Sequence, residues 1–182
     1  MVATPIGNLR DLSFRALDIL NEVDLILCED TRKSRILFNE FNIMTKYDSL
    51  HEFTSFKNIE KYVSFLEEGN SIALISDAGT PLISDPGFEI VKIAKEKNIF
   101  VNPLPGPSSV LSALVGSGLK IDKFIFEGFP PRKKQELDSY LKCYLYEDRT
   151  VVLFESPRRI KKLVQSVIAV SYTHLRAHET RY

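Results

Sequence analysis

"SIALISDAGTPLISDPG", Ser71 to Gly87, opens with the apolar run Ile72 to Ile75 and passes directly into a loop that spells Ser-Asp-x-Gly twice. The two copies fall at Ser76–Gly79 and Ser84–Gly87, each with a proline close by. An apolar run of four residues bounded by turn-formers suits a strand buried on both faces, the environment of a parallel sheet. The chain has only 8 Gly and 9 Pro in 182 residues, so their concentration after one strand marks that loop for a purpose. In open parallel sheets, ligands bind outside the carboxyl ends of the strands.

The same strand-then-loop unit recurs along the chain. Met1 to Ala3 reads as a strand stub followed by "TPIGNL", and Ser13 caps a helix whose Phe14, Leu17 and Leu20 form an apolar face. Leu25 to Cys28 reads as a buried strand, followed by a helix from about Lys33 to Phe41. An irregular, aromatic-rich stretch from Tyr47 to Phe56 follows. A helix from about Asn58 then carries Ile59, Tyr62, Val63 and Leu66 and stops at Gly69. Beyond the opening stretch come a helix over Phe88–Lys97, a strand over Ile99–Val101, the loop "PLPGPSS" and a short apolar helix to Gly116. "GSGLKID", Gly116 to Asp122, reads as a linker. After it come strand Lys123–Phe126, helix Lys133–Tyr146, strand Thr150–Phe154 and helix Ser156–Val167. Short apolar strands alternating with amphipathic helices predict an α/β fold with a parallel sheet, because each parallel connection must hold a crossover. The expected organisation is an N-terminal α/β domain over residues 1–120 and the start of a second α/β domain over 121–168.

The 24 Lys and Arg balance the 24 Asp and Glu, so no overall field draws the chain to nucleic acid; any such contact needs a local patch. At 44% hydrophobic the chain can bury a sizeable core. Cys28 and Cys143 lie far apart and match neither a disulfide framework nor a metal spacing, so both read as core or near-core thiols in a reducing compartment. No apolar run is long enough to span a bilayer and no signal-peptide pattern opens the chain; a cytoplasmic protein is expected.

Six loops follow strands: Thr4 to Asp11, Glu29 to Arg35, Ser76 to Gly87, Pro103 to Ser109, Glu127 to Lys134 and Glu155 to Arg159. Each is rich in Gly, Pro or charge. Tight turns alone use such residues, but six of them on one kind of strand end point to a site. A phosphate cradle needs backbone N–H groups aimed at the anion. Pro81, Pro86, Pro103, Pro105 and Pro107 remove those donors from the two central loops, and neither GxGxxG nor GxxxxGK[ST] occurs. What remains is carbonyls, small residues and the carboxylates Asp77 and Asp85, an inventory that could hold an adenosine and a positive sulfonium. S-adenosylmethionine is one ligand of that kind among several.

Read in order, "VATPIGNLRDLSFRALDIL", "CEDTRKSRILF", "LISDAGTPLISDPG", "LPGPSSVLSAL", "FEGFPPRKK" and "FESPRRI" resemble the ribosomal RNA small subunit methyltransferase I family. That family belongs to the tetrapyrrole-methylase-like, class III methyltransferases, and the likeness covers about residues 1–168. It implies an N-terminal parallel-sheet domain of the tetrapyrrole-methylase type, S-adenosylmethionine held between two domains, and usually a homodimer. It also implies a substrate, the ribose 2'-hydroxyl of a cytidine in 16S rRNA within the small ribosomal subunit. Carried over by motif, the cofactor would touch Ser76, Asp77, Ala78, Gly79, Thr80 and Pro81, with Asp77 the more direct contact. It would also touch Pro105, Gly106, Pro107, Ser108 and Ser109, and Glu127, Gly128 and Phe129. On the substrate side the likeness places Thr4, Pro5, Gly7, Asn8, Thr31 and Arg32, with the basic Arg132, Lys133, Arg158 and Arg159. A tetrapyrrole or other small-molecule methylase of this fold, or an RNA-binding module without catalysis, are the competing readings.

A sulfonium is already a good leaving group, so such an enzyme must mainly align the ribose oxygen with the methyl carbon and accept a proton. Glu29 and Asp30, at a strand's carboxyl end beside Arg32, are the candidate base or orienter. Equally open is that one of them pairs with Arg32 or caps the next helix. In "ESPRRIKKLVQSVI", Ser156 reads as a cap and Pro157 as the first turn. Arg158 and Arg159 then stand where the helix dipole disfavours cations, which calls for an anion between them, and RNA phosphate is the natural one. Tyr47, Phe53 and Phe56 could stack bases but read better as core. The ending, residues 169–182, shows no helical or strand periodicity and is expected to be a tail foreign to the family, as translated adapter sequence is. Its His174 and His178 are spaced i,i+4, but no metal is expected there.

Overall fold

Strand β1 (Leu25–Cys28) lies between β2 (Tyr47–Ser49) and β3 (Ile72–Leu74), parallel to both, with Ile26 opposite Tyr47 on one side and Ala73 on the other. The computed structural model that shows this describes the backbone of residues 1–179 and the side chains of residues 1–171. Two further segments continue the hydrogen bonding. Val2 N–H donates to Leu74 O and Leu104 N–H to Met1 O, each at 2.9 Å, which puts the opening residues beside β3 and Leu104 beside them. The centre of the sheet is covered on both faces, and this is why β1 and β3 read as unbroken apolar runs. Ile26, Cys28, Ala73 and Ile75 pack with Ala16, Leu20 and Phe38 from α1 (Phe14–Glu22) and α2 (Thr31–Glu40). The alternate residues Leu27 and Leu74 pack with Ile59, Tyr62, Val63 and Ile90 from α3 (Phe56–Glu67) and α4 (Phe88–Glu96). Ser13, Asp30 and Ser55 each cap a helix by accepting a backbone N–H with the side chain, leaving the strand ends free to turn sharply.

The chain forms two compact units, Met1–Ser112 and Ala113–Tyr182, and the boundary falls inside α5 (Ser109–Gly116). In the second unit β4 (Phe124–Phe126) and β5 (Thr150–Val152) pair in parallel, with Ile125 opposite Val151. Leu137 and Leu141 of α6 (Lys134–Lys142) bury against Leu163 of α7 (Ile160–Glu179).

Several expectations are corrected. Phe14 is 90% exposed, so the buried face of α1 is Ala16 and Leu20. Tyr47–Ser49 is a strand, hidden in the sequence because it is short and carries Asp48. Ile99–Val101 is not a strand: Ile99 N–H still bonds Ala94 O at the end of α4, and sheet bonding resumes only at Leu104. Phe53, Phe56 and Tyr47 are exposed rather than core, although the Tyr47 ring lies 5.0 Å from that of the buried Phe38. Cys28 is buried but Cys143 is exposed. The last helix starts at Ile160, because the Ser156 carbonyl rather than its side chain receives the first amide. It runs on through the supposed tail to Glu179, where no Gly or Pro interrupts propagation. The side chains of His174 and His178 lie outside the described residues.

Candidate active site and basic edge

Four of the expected loops meet at the carboxyl edge of the first unit's sheet. Thr4 and Gly79 exchange backbone hydrogen bonds of 2.9 and 3.0 Å, and the buried Thr4 hydroxyl donates to Ser76 O at 3.1 Å. Ser76 Oγ donates to Gly79 O at 3.2 Å, closing the loop on itself. Thr80 Oγ1 donates to Pro107 O at 3.0 Å, which ties this loop to the "PGPSS" loop. The second tie is steric: a Cβ on Gly106 would stand 2.7 Å from Ala3 Cβ, so only glycine lets the two backbones approach. Ser108 Oγ accepts Leu111 N–H at the start of α5, Ser109 is that helix's first residue, Pro81 is buried, and Ala78 is exposed. Pro5 and Gly7 follow Thr4 towards Asn8, whose side chain caps a 3-10 turn by accepting Arg10 N–H.

Asp77 is a brace between loops. Its Oδ1 accepts the Asp30 N–H at 3.1 Å and its Oδ2 pairs with Lys33 Nζ, so both oxygens are engaged within the protein. Asp30 is likewise committed. It caps α2 and accepts two hydrogen bonds from the Arg32 guanidinium, at 3.0 and 2.8 Å. Those bonds hold its carboxyl far below the ordinary range. Glu29 differs: burial first, then the charges of Asp77 and Asp85, push its carboxyl upward. Burial and Asp77 act on Asp85 in the same direction.

Two cavities open at this edge. One of about 360 Å3 is lined by Thr4, Pro5, Gly7, Lys33, Ser76, Asp77 and Ala78. The other, about 500 Å3, is lined by Glu29, His51, Glu52, Asp85 and Phe88. Glu29 lines only the second cavity, although it interacts with Asp77 and Lys33 of the first, and Asp30, Thr31 and Arg32 line neither. His51 and Lys33 are the lining residues that the choice of site residues left out, Lys33 standing one position past Arg32 in its loop, while Asp85 lines a cavity as its carboxylate suggested.

The second unit forms its own edge. Gly128, at φ +64°, gives its carbonyl to Phe154 N–H at 2.7 Å, and the Phe129 ring, 60% exposed, lies 5.5 Å from that of Phe154. Glu127 accepts from the Tyr140 hydroxyl at 3.4 Å. Lys133 pairs with Glu136, whereas Arg132 and Arg158 are exposed and have no ion-pair partner among the described residues. Arg159 is half-buried and pairs with Glu155, so the anion demanded by the dipole argument is supplied here by the protein itself. Among the described residues no cluster of His, Cys, Asp or Glu is placed to hold a metal ion, and no helix is long and apolar enough to cross a membrane.

A two-faced parallel sheet whose carboxyl edge gathers small, proline-rich loops, followed by a second parallel unit, defines an α/β protein with its candidate site at a sheet edge. Residues 1–178 match the Tetrapyrrole (Corrin/Porphyrin) Methylases, and the chain belongs to that family. It is 43% identical over 170 residues to the ribosomal RNA small subunit methyltransferase I of Escherichia coli O157:H7, covering 93% of this chain and 59% of that protein. It is 44% identical over 170 residues to the protein of the same name from Thermotoga maritima, covering 93% and 76% respectively. Among solved structures, a diphthine synthase superposes with a TM-score of 0.69 at 17% identity, over 94% of this chain and 71% of that one, a likeness of fold. The chain thus spans about three-fifths of the Escherichia coli relative and three-quarters of the Thermotoga one.

Proposed function

We propose that the chain serves S-adenosylmethionine-dependent methyl transfer to the ribose 2'-hydroxyl of a cytidine in 16S rRNA. On this reading it acts on the small ribosomal subunit, in the cytoplasm and as a homodimer. The observation that carries the reading is identity of 43 and 44% across 93% of the chain to relatives named for small-subunit rRNA. The exposed, unpaired Arg132 and Arg158 support it, since phosphate contacts need local cations in a chain of zero net charge.

The residues present fit a cationic cofactor. Glu29, Asp77 and Asp85 make the first unit's edge negative, and its prolines withhold the N–H donors an anion would need. When bound, S-adenosylmethionine supplies the electrophilic methyl group. Ser76–Pro81 and Pro105–Ser109, locked to each other by Thr80 and to the sheet by Thr4, would hold it, and Asp77 would act by fixing its loop. Glu29, raised by burial, is the better-suited proton acceptor for a ribose hydroxyl at neutral pH, whereas Asp30, held ionised by Arg32, orients and caps. Arg132, Lys133 and Arg158 would position the RNA backbone.

The test is transfer of a labelled methyl group from S-adenosylmethionine to small subunits lacking the modification. The Escherichia coli relative serves as positive control, and nuclease digestion with mass spectrometry locates the label. Label on a ribose of 16S rRNA is expected. Label on a porphyrinoid in a parallel incubation, with none on the subunit, would overturn the RNA reading.

A further inference from the structure

Between β5 and α7 a carboxylate is buried where two exposed basic loops alone would not require one. The Glu155 side chain is 2% exposed. Its Oε1 accepts the Ser156 N–H at 2.7 Å, and its Oε2, sealed from solvent, lies 3.1 Å from Arg159 Nη2 without a directed hydrogen bond. The same Nη2 donates to Pro131 O at 3.2 Å. Pro131 directly precedes Arg132 and Lys133, and Arg159 directly follows Arg158. One guanidinium therefore spans the two loops that carry the exposed cations, beyond the backbone links Glu127 to Val152 and Phe154 to Gly128. A planar fork with five donors suits such bridging; an ammonium does not. A buried ion pair is weak evidence for stability, and its best-attested use is to fix one geometry.

We infer that Arg159 acts as a positioning residue rather than as a phosphate contact. With Glu155 and the Pro131 carbonyl it clamps the two loops so that Arg132 and Lys133 on one, and Arg158 on the other, meet successive phosphates of the RNA. This rests on the rRNA reading above. The clamp reverses a simple electrostatic expectation. Removing a negative charge beside an RNA-binding edge ought to tighten binding, yet loss of Glu155 frees the guanidinium and slackens the loops.

The experiment measures binding of the full chain to an unmodified 16S rRNA transcript across a salt series, for the parent, Glu155→Gln, Arg159→Gln, Arg159→Lys and the double Glu155→Gln/Arg159→Gln. Glu155→Gln and Arg159→Gln are each expected to weaken binding by about tenfold, with the double no worse than either single because both break one device. Arg159→Lys should lose several-fold, although it keeps the charge. Arg132→Ala and Arg158→Ala should each lower the salt slope by about one. Tighter or unchanged binding by Glu155→Gln, with loss in Arg159→Gln and recovery in Arg159→Lys, would make Arg159 a direct contact and overturn the clamp. Hydrogen exchange of the Phe129, Arg132 and Lys133 amides is the second readout, expected to quicken in both single variants. If the parent binds no RNA, the rRNA reading fails on its own account, and unchanged exchange in both variants separately sinks the clamp.

Discussion

Gly106→Ala tests how the carboxyl edge of the first unit, the proposed cofactor site, is assembled. The added Cβ would lie 2.7 Å from Ala3 Cβ, and ordinary contact begins near 3.4 Å, so one backbone must retreat by roughly 0.7 Å. The segment carrying Ala3 cannot yield easily. Bonds of 2.9 Å from Val2 to Leu74 and from Thr4 to Gly79, and one of 3.0 Å back from Gly79 to Thr4, flank it. The loop at Pro105–Ser109 must therefore move, carrying Pro107 O away from Thr80 Oγ1 and stretching a 3.0 Å hydrogen bond past its useful range. Overpacking of this kind costs about 1–3 kcal/mol, of which the lost bond is about 1 kcal/mol. A melting temperature lower by roughly 6–10 °C is expected for a unit of this size. Thr80→Val alone should cost about 1 kcal/mol, and the double variant should fall short of the sum by about that amount, because the glycine change has already broken the bond. Gly116→Ala is the matched control: nothing lies within 4 Å of its added Cβ at the end of α5, so stability should hold or rise slightly. Urea and thermal unfolding measure stability, and calorimetry should show S-adenosylmethionine binding weakened about tenfold in Gly106→Ala. A Gly106→Ala protein that melts with the parent, or costs that simply add with Thr80→Val, would refute this account.

Three further outcomes follow from the carboxylates. Asp77→Asn keeps an acceptor for the Asp30 N–H and loses only an exposed pairing with Lys33, so it should cost under about 1 kcal/mol, while Asp77→Ala strands that N–H at about 1–3 kcal/mol. Cofactor affinity within about fivefold in Asp77→Asn supports the brace, and a hundredfold loss would make Asp77 a direct contact. Glu29 is raised in the fold, so its contribution to stability is present at low pH and lost as pH climbs from the ordinary 4.5 through the raised value. Glu29→Gln should therefore gain on the parent in unfolding experiments at neutral pH but not near pH 4 (roughly the unfolded pKa), and the methyl-transfer rate, rising with pH in the parent, should become low and flat. Asp30 is depressed, so its stabilisation is present above 3.8 and lost as pH falls below that value. Asp30→Asn should melt below the parent at pH 7 (a typical assay condition), with the gap closing in acid.

Much of the first unit was legible because burial on both faces of the sheet leaves an unmistakable trace. "LILC" and "IALI" read as strands without a wet side, and Ser13 announces its helix by a side chain that bonds the third amide onward, whereas Ser55, which caps α3 in the same way, lay within the stretch read as irregular. What escaped notice are elements whose cause is tertiary. β2 is three residues long with a polar centre and exists because β1 offers it a partner at Ile26 to Cys28. The supposed strand at Ile99 is consumed by the end of α4, since Ile99 N–H reaches back to Ala94 O. At the site, loop positions could be picked by their place after strands, but the function of each carboxylate could not. Asp30 and Asp77 each have neighbours in space that satisfy them, and Glu29 has neighbours that burden it; nothing in "CED" distinguishes the two acids.

The doubled Ser-Asp-x-Gly of residues 76–87 shows how far such a distinction runs. In the first copy Ser76 closes the loop, Asp77 braces Asp30 and Lys33, and Gly79 at φ +90° lets the loop pair with Thr4. In the second copy Gly87 at φ +117° enters α4, where a side chain would collide with Leu74, and Asp85 points its carboxylate into the cavity beside Glu29. Identical letters thus split into a structural half and a half that shapes the electrostatics around Glu29. The charges of the whole chain divide in the same way. Residues 1–112 carry 16 Asp and Glu against 11 Lys and Arg, and the remainder carries 8 against 13. A net charge of zero therefore conceals a negative first unit and a positive second one, which on the proposed reading suit a cationic cofactor and an RNA respectively.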